Sequence, residues 1–117
     1  MHDWLASRAA TTPDATALVD AESGATRDFA TLDAEVTALA ERLAAVGVAP
    51  GDRVAAILSP SVDAVRLVHA AVRLGVTLAP LNERSTAAEL RSLVDCVDPS
   101  RLVCDASTEA RAVDAAR

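Results

Sequence analysis

The 117 residues contain no lysine and no tyrosine, and the aromatic share of 2% comes from Trp4 and Phe29 alone. Every basic side chain is therefore an arginine or one of two histidines, and 17 acidic residues against 11 basic ones leave a formal net charge of −6. A nucleic acid would be repelled by that summed field, and there is neither a basic run nor a set of stacking rings to overcome it. No stretch approaches the roughly 20 uninterrupted apolar residues that span a bilayer. The opening Met1-His2-Asp3-Trp4 lacks the basic and apolar regions of a secretory signal, so the expected location is cytoplasmic. Cysteine is equally sparse. Cys96 and Cys104 form no Cys-x-x-Cys pair and have no second ligand pair nearby, which argues against zinc and thioredoxin-type redox chemistry and reads as two reduced thiols.

What is abundant is small apolar residues. At 51% hydrophobic, chiefly Ala, Val and Leu, the chain is long enough for one domain over residues 1–117 and is not a disordered polar tract. Small side chains bury little area each, at about 25 cal/mol per Å², so the core is expected to be marginal by itself. An acidic, lysine-free surface suits a high-salt cytoplasm, where screening relieves self-repulsion. A GC-rich genome would favour Ala and Arg equally well, and both explanations stand.

The periodicity predicts an α/β chain. Asp3 caps a short helix carrying Trp4, Leu5 and Arg8 that stops before Pro13. Ala17-Leu18-Val19 and Thr26-Arg27-Asp28-Phe29 flank Ser23-Gly24 as a hairpin. Thr31 reads as an N-cap, and Leu32, Val36, Leu39, Leu43 and Val46 then keep helical spacing up to Gly47. Ala49-Pro50-Gly51-Asp52 suits a type II turn. Val54-Ala55-Ala56-Ile57-Leu58 is a continuous apolar run, as in a buried parallel strand. Ser59-Pro60 reads as the cap and first residue of a second helix, largely buried, that runs through Val62, Leu67 and Leu74 to Gly75. Val76 to Leu81 forms the next strand, with Pro80 placing its end at a sheet margin. After the loop Asn82 to Ser85, Thr86-Ala87-Ala88-Glu89 has capping-box spacing and opens a third helix. Arg101-Leu102-Val103-Cys104 is a third core strand, and a helical pattern starts at Ser107.

From Asp52 onward the order is strand, helix, strand, helix, strand, helix, which predicts parallel strands joined by crossovers. Three such strands leave two unpaired edges, which proteins usually protect. The last helical pattern meets no terminating signal. Both features lead us to expect more sheet downstream and to read the chain as truncated.

Few residues offer chemistry. Gly47 to Arg53 places glycines before a strand, whereas a phosphate-binding loop needs them after one, followed by Lys and Ser or Thr; the turn reading stands. Gly75 lacks the Gly-x-Gly-x-x-Gly context and reads as a helix C-cap. His69 has no Ser, Cys or carboxylate at helical spacing and reads as a core or half-buried imidazole, and His2 lies at the chain's start. Ser59 and Ser61 follow a strand without the Gly-x-Ser-x-Gly frame of a nucleophile elbow. The best candidates are Asn82 and Arg84, beyond a strand's carboxyl end, where ligands of open α/β sheets bind. The competing reading of Arg84, beside Glu83, is an ordinary surface charge.

The ordered set Trp4 to Pro13, Asp28-Phe29-Ala30-Thr31-Leu32, Gly47-Val48-Ala49-Pro50-Gly51-Asp52-Arg53-Val54 and Ser59-Pro60-Ser61 resembles the opening of the adenylate-forming acyl-CoA synthetase superfamily, in particular its aryl-acid ligases. Ala70-Ala71-Val72-Arg73-Leu74-Gly75-Val76-Thr77-Leu78-Ala79-Pro80-Leu81-Asn82 continues the likeness, and with Arg84, Glu89-Leu90 and Leu93 it covers nearly the whole chain. The resemblance implies the parallel-sheet N-terminal part of the large domain of an AMP-forming ligase, preceded by a short helix and hairpin. It also implies an enzyme that activates a carboxylic acid with ATP and Mg2+ to an acyl-adenylate and passes the acyl group to coenzyme A. In that family the phosphate loop, the adenine- and ribose-binding motifs and the catalytic lysine lie downstream of the part matched here. The implied partner of this chain is therefore the remainder of the ligase domain, and no catalytic residue or metal ligand falls on it. Arg84 matches the arginine that some coenzyme A ligases use to touch the coenzyme A nucleotide, while Glu83 stands where proline is common. The alternative from another class is a free-standing, non-catalytic α/β module that binds a partner or pairs a sheet edge.

Overall fold

In a computed structural model the described residues are 3–116; His2 lies outside them. The elements in order are α1 (Trp4–Thr11), β1 (Thr16–Val19), β2 (Thr26–Asp28), α2 (Phe29–Ala45), β3 (Arg53–Ile57), α3 (Val62–Leu74), β4 (Thr77–Pro80), α4 (Ala87–Val97), β5 (Arg101–Cys104) and α5 (Glu109–Ala116). They fall into two compact units, the first running to Gly47 and including Ser61–Leu74, the second made of Val48–Pro60 and Gly75 onward.

In the first unit, the Asp3 carboxylate accepts the Ala6 N–H at 3.0 Å and starts α1 as its composition predicts. β1 and β2 form the expected antiparallel hairpin, with a register irregularity between Thr16 and Leu18. The next helix begins earlier than expected. Asp28, not Thr31, is the N-cap: it ends β2 in an extended conformation and its carboxylate accepts the Thr31 N–H at 2.7 Å, so α2 opens at Phe29. Two more N–H groups of that first turn, from Phe29 and Ala30, find the carbonyls of Ala15 and Pro13 at 3.1 Å each, which satisfies donors no helix can satisfy internally.

The apolar stripe of α2 does what its spacing predicts at Leu32 and Val36, which join Leu5 and Ala70 in a buried cluster with Leu39 and Leu43 packed against it. Val46 departs from it and is 57% exposed. It follows the last helical residue, and Gly47 turns the chain away at φ +97°. One arginine joins three helices of this unit. Arg73 of α3 donates to the Asp3 carboxylate at 2.7 Å, the Asp33 carbonyl at 3.1 Å and the Thr37 hydroxyl at 2.9 Å, and also pairs with the Asp33 carboxylate. A second cluster links Arg66 and Arg27 to Glu35. The expectation that α3 is largely buried is not met: only Leu67, Ala70 and Ala71 are buried, Asp63 and Val68 are exposed, and the rest of the helix is half-buried.

The opening of α3 also corrects the sequence reading. The helix starts at Val62, and it is the Ser61 hydroxyl that accepts the Ala64 N–H, at 3.3 Å. Pro60 thus precedes the helix, and Ser59 is engaged elsewhere.

The second unit is a parallel sheet in the order β4-β3-β5. β3 pairs with β4 from Arg53↔Thr77 to Ala56↔Pro80 and with β5 from Val54↔Arg101 to Ile57↔Cys104. Val54 to Ile57 are buried in succession, as the unbroken apolar run implied. Pro80 lies on an outer strand, where its missing N–H leaves no gap in the ladder. Ala49-Pro50-Gly51-Asp52 is the turn the residues call for: the Asp52 N–H reaches the Ala49 carbonyl at 3.1 Å and Gly51 takes φ +88°. Thr86 and Glu89 form both halves of a capping box on α4, which ends at Asp98 in the left-handed region. Ile57, Leu90, Ala112 and Ala115 form the buried cluster of this unit, and full burial of the two larger ones contributes about 1.5–3 kcal/mol each.

Candidate functional site

In an open parallel sheet, ligands bind outside the carboxyl ends of the strands, at the point where successive crossovers leave in opposite directions. The order β4-β3-β5 puts that point between β3 and β5, because the chain goes from β3 to β4 on one side and returns to β5 on the other. Here the geometry is dominated by a residue that the sequence reading passed over. Asp105, the first residue after β5, accepts the Ser59 N–H at 2.8 Å, the Ser107 hydroxyl at 2.6 Å and the Thr108 N–H at 3.0 Å. The Ser59 and Ser107 hydroxyls lie 3.1 Å apart, and the buried Thr108 hydroxyl donates to the Ile57 carbonyl at 2.6 Å.

These donors set the charge state of Asp105. The Ser107 hydroxyl first, then the Ser59 N–H, hold its carboxyl well below the usual carboxylate range. The crevice at the crossover point is thus closed by the chain's own hydrogen bonds. Ser59, read from sequence as a helix cap, instead ties the end of β3 to the end of β5. Only the spacing Asp105-x-x-Thr108, an acid followed by a hydroxyl at the start of a helix, hinted at this arrangement.

At the end of β4 the loop is built by Asn82. Its side-chain oxygen accepts the Arg84 N–H at 2.9 Å, and its carbonyl accepts the Ser85 N–H at 3.1 Å. Asn82 is thereby a turn-former. Arg111 of α5 donates to the Ser85 carbonyl at 2.9 Å and fastens the far side of the loop. Arg84 itself is exposed, and among the described residues its guanidinium has no hydrogen-bond or ion-pair partner.

The other sequence candidates lie elsewhere. His69 is half-buried on α3, where it lines an apolar groove of about 170 Å³ in the first unit together with Trp4, Leu5, Phe29 and Leu32. Cys96 is exposed and Cys104 half-buried, and neither is in a disulfide. Burial, with the charges of Glu109 and Asp105, pushes the Cys104 thiol up, away from the reactive thiolate. Among the described residues no group of three or more His, Cys, Asp or Glu side chains is placed to hold a metal ion, and no helix is long and apolar enough to cross a membrane.

A helix and hairpin followed by a three-stranded parallel sheet with its loops at the carboxyl edge defines a class. The chain belongs to the family of AMP-binding enzymes, whose pattern matches residues 5–117. Within that family it is 33% identical over 111 residues to a 2-succinylbenzoate–CoA ligase of Bacillus cereus, a match that takes in 95% of this chain and 23% of the relative. Over 113 residues it is 32% identical to a long-chain-fatty-acid–CoA ligase of Mycobacterium tuberculosis, covering 97% of this chain and 22% of that enzyme.

Solved structures agree. The o-succinylbenzoate-CoA synthetase of Bacillus subtilis, determined in complex with its acyl-adenylate intermediate, superposes with a TM-score of 0.89 at 32% identity over 97% of this chain and 23% of its own. The fatty acyl-CoA synthetase of Mycobacterium tuberculosis gives 0.88 at 30%, again over 97% of this chain and 22% of its own. The family resemblance drawn from the residues is borne out. The chain spans about a quarter of the length of the ligases it matches, and the match falls on their N-terminal part.

Proposed function

We propose that this chain is the N-terminal segment, residues 1–117, of an ATP-dependent, AMP-forming carboxylic acid–CoA ligase and has no catalysis of its own. The observation that carries the reading is the fit of 97% of the chain, at 32% identity and a TM-score of 0.89, to one end of a synthetase solved with an acyl-adenylate. The substrate class is a carboxylic acid, with the 2-succinylbenzoate-specific relatives favouring an aryl acid. The two free thiols suit a reducing, cytoplasmic setting.

ATP and Mg2+ do not fit the residues present. The one carboxylate at the crossover point, Asp105, is engaged by three donors of its own chain, and of the several preorganised positive groups that stabilise a triphosphate the loops at the strand ends offer only Arg84. The others belong to the remainder of the ligase domain, the partner this reading requires. The role left to these residues is to supply three strands of the sheet and the Asn82–Ser85 loop. Arg84, exposed and with its backbone N–H held by Asn82, is the residue we assign to the coenzyme A nucleotide, as a guanidinium suited to bidentate phosphate contact.

The test is a chimera in which residues 1–117 replace the matching segment of the Bacillus ligase. Acid-dependent release of pyrophosphate from ATP is expected, and Arg84→Ala in the chimera should raise KM for coenzyme A about tenfold while leaving adenylate formation unchanged. The chain alone should bind neither ATP nor coenzyme A in calorimetric titration. Micromolar binding by the chain alone, or a folded chimera without adenylate formation, would refute the assignment.

A further inference from the structure

The apolar groove of the first unit is a place where the structure combines shape and charge without using either. Its floor is Leu5 and Leu32, both buried, and its walls include Phe29 and Trp4, the latter 74% exposed. The volume, about 170 Å³, is that of one ring-sized group: an apolar cavity of about 150 Å³ is enough to admit benzene. Two basic side chains also line it. Arg8 lies over the Phe29 ring, 5.4 Å from its centroid, and His69 faces it from α3.

Arg8 differs from five arginines of this acidic chain that form ion pairs. Arg27, Arg53, Arg66, Arg73 and Arg91 all reach carboxylates. Among the described residues Arg8 has the ring beneath it and no carboxylate or carbonyl partner. A guanidinium stacked on a ring keeps its N–H fork in the plane, open to a planar acceptor at its edge. Among the described residues no acid lines the groove, and Asp3, next to Trp4 in the chain, is already committed to Ala6 and Arg73. Burial would raise its pKa, but the Ala6 N–H and the hydrogen bond and charge of Arg73 outweigh this, with a smaller contribution from His69, and the net shift is downward.

We infer that this groove binds a small carboxylate bearing one ring-sized apolar group, with the ring among Leu5, Leu32 and Phe29 and the carboxylate on Arg8. Every lining residue belongs to the first unit, whereas the carboxyl ends of the parallel strands belong to the second. The site is therefore separate from the one built around the Asn82–Ser85 loop, and it stands or falls independently of the ligase assignment.

Trp4 is the sole tryptophan and lines the groove, so it reports on occupancy directly. Benzoate, and benzyl alcohol as its uncharged counterpart, are titrated into the full chain at pH 7 while Trp4 emission and the methyl NMR signals of Leu5 and Leu32 are followed. Saturable changes with benzoate are expected, with benzyl alcohol binding about tenfold more weakly, the worth of one charge-assisted hydrogen bond. Arg8→Gln should remove that difference and Arg8→Lys should keep part of it; Arg8 is exposed, so neither substitution threatens the core. The inference is overturned by unsaturable shifts, by equal affinity for the two probes, or by an Arg8→Gln chain that still prefers benzoate.

Discussion

At the scale of single residues, the charged groups that matter are those whose partners are distant in sequence. Arg73 meets Asp3 across 70 positions, and Asp105 meets Ser59 across 46. The pKa of Asp105 is depressed in the fold, so its stabilising contribution is fully present above the ordinary carboxylate value of about 3.9 and is lost as the pH falls through the lowered folded value. Asp105→Asn leaves one of its donors facing an amide N–H₂. We expect a lower urea midpoint for this variant at pH 7, and a gap to the unaltered chain that narrows below about pH 4. A gap independent of pH would mean that shape, not charge, is what Asp105 supplies. Beyond the Asp105-x-x-Thr108 spacing none of this was legible beforehand, because a carboxylate following a strand looks the same in sequence whether it faces water or three donors. Arg84, by contrast, could be singled out from its place after a strand and before a capping box.

At the scale of elements, local signals were largely sufficient. The Thr86–Glu89 capping box, the Asp3 cap, the turn at Pro50-Gly51 and the glycines after α2 and α3 all form where the residues place them. Gly51 offers a clean measure of one such signal. A Cβ there meets nothing within 4 Å, while the backbone sits at φ +88°. Gly51→Ala should therefore cost about 1–2 kcal/mol from backbone conformation alone, read from the urea midpoint, with Gly51→Asn recovering part of it. A neutral Gly51→Ala would show that the turn relaxes to another type. The two element errors share a cause. Thr31 and Ser59 are good capping residues, yet Asp28 and Ser61 take the caps, since several nearby hydroxyls and carboxylates compete and only the exit direction of the preceding strand decides among them.

At the scale of the whole molecule, each unit has its own small buried cluster of four residues, one of them alanine in the first unit and two in the second. Such cores leave little margin over conformational entropy. We expect broad urea unfolding, with the far-UV circular dichroism transition and amide exchange in the two units failing to coincide. Trp4 emission is a weak reporter of this transition, since the side chain is already 74% exposed in the fold. A single sharp transition with coincident probes would instead mark a self-sufficient domain and favour the non-catalytic module.

The amino-acid sequence by itself determined the order and type of the elements, most of their ends, the parallel character of the sheet and the family. These depend on periodicity, caps and turns that act within about four residues, or on an ordered set of such signals. Tertiary structure alone decided that β3 lies between β4 and β5, that Asp105 closes the ends of two strands, and that Trp4, Arg8 and His69 line one groove. Those outcomes follow from which distant segments pack together. Packing responds to summed shape and charge, which no local pattern encodes.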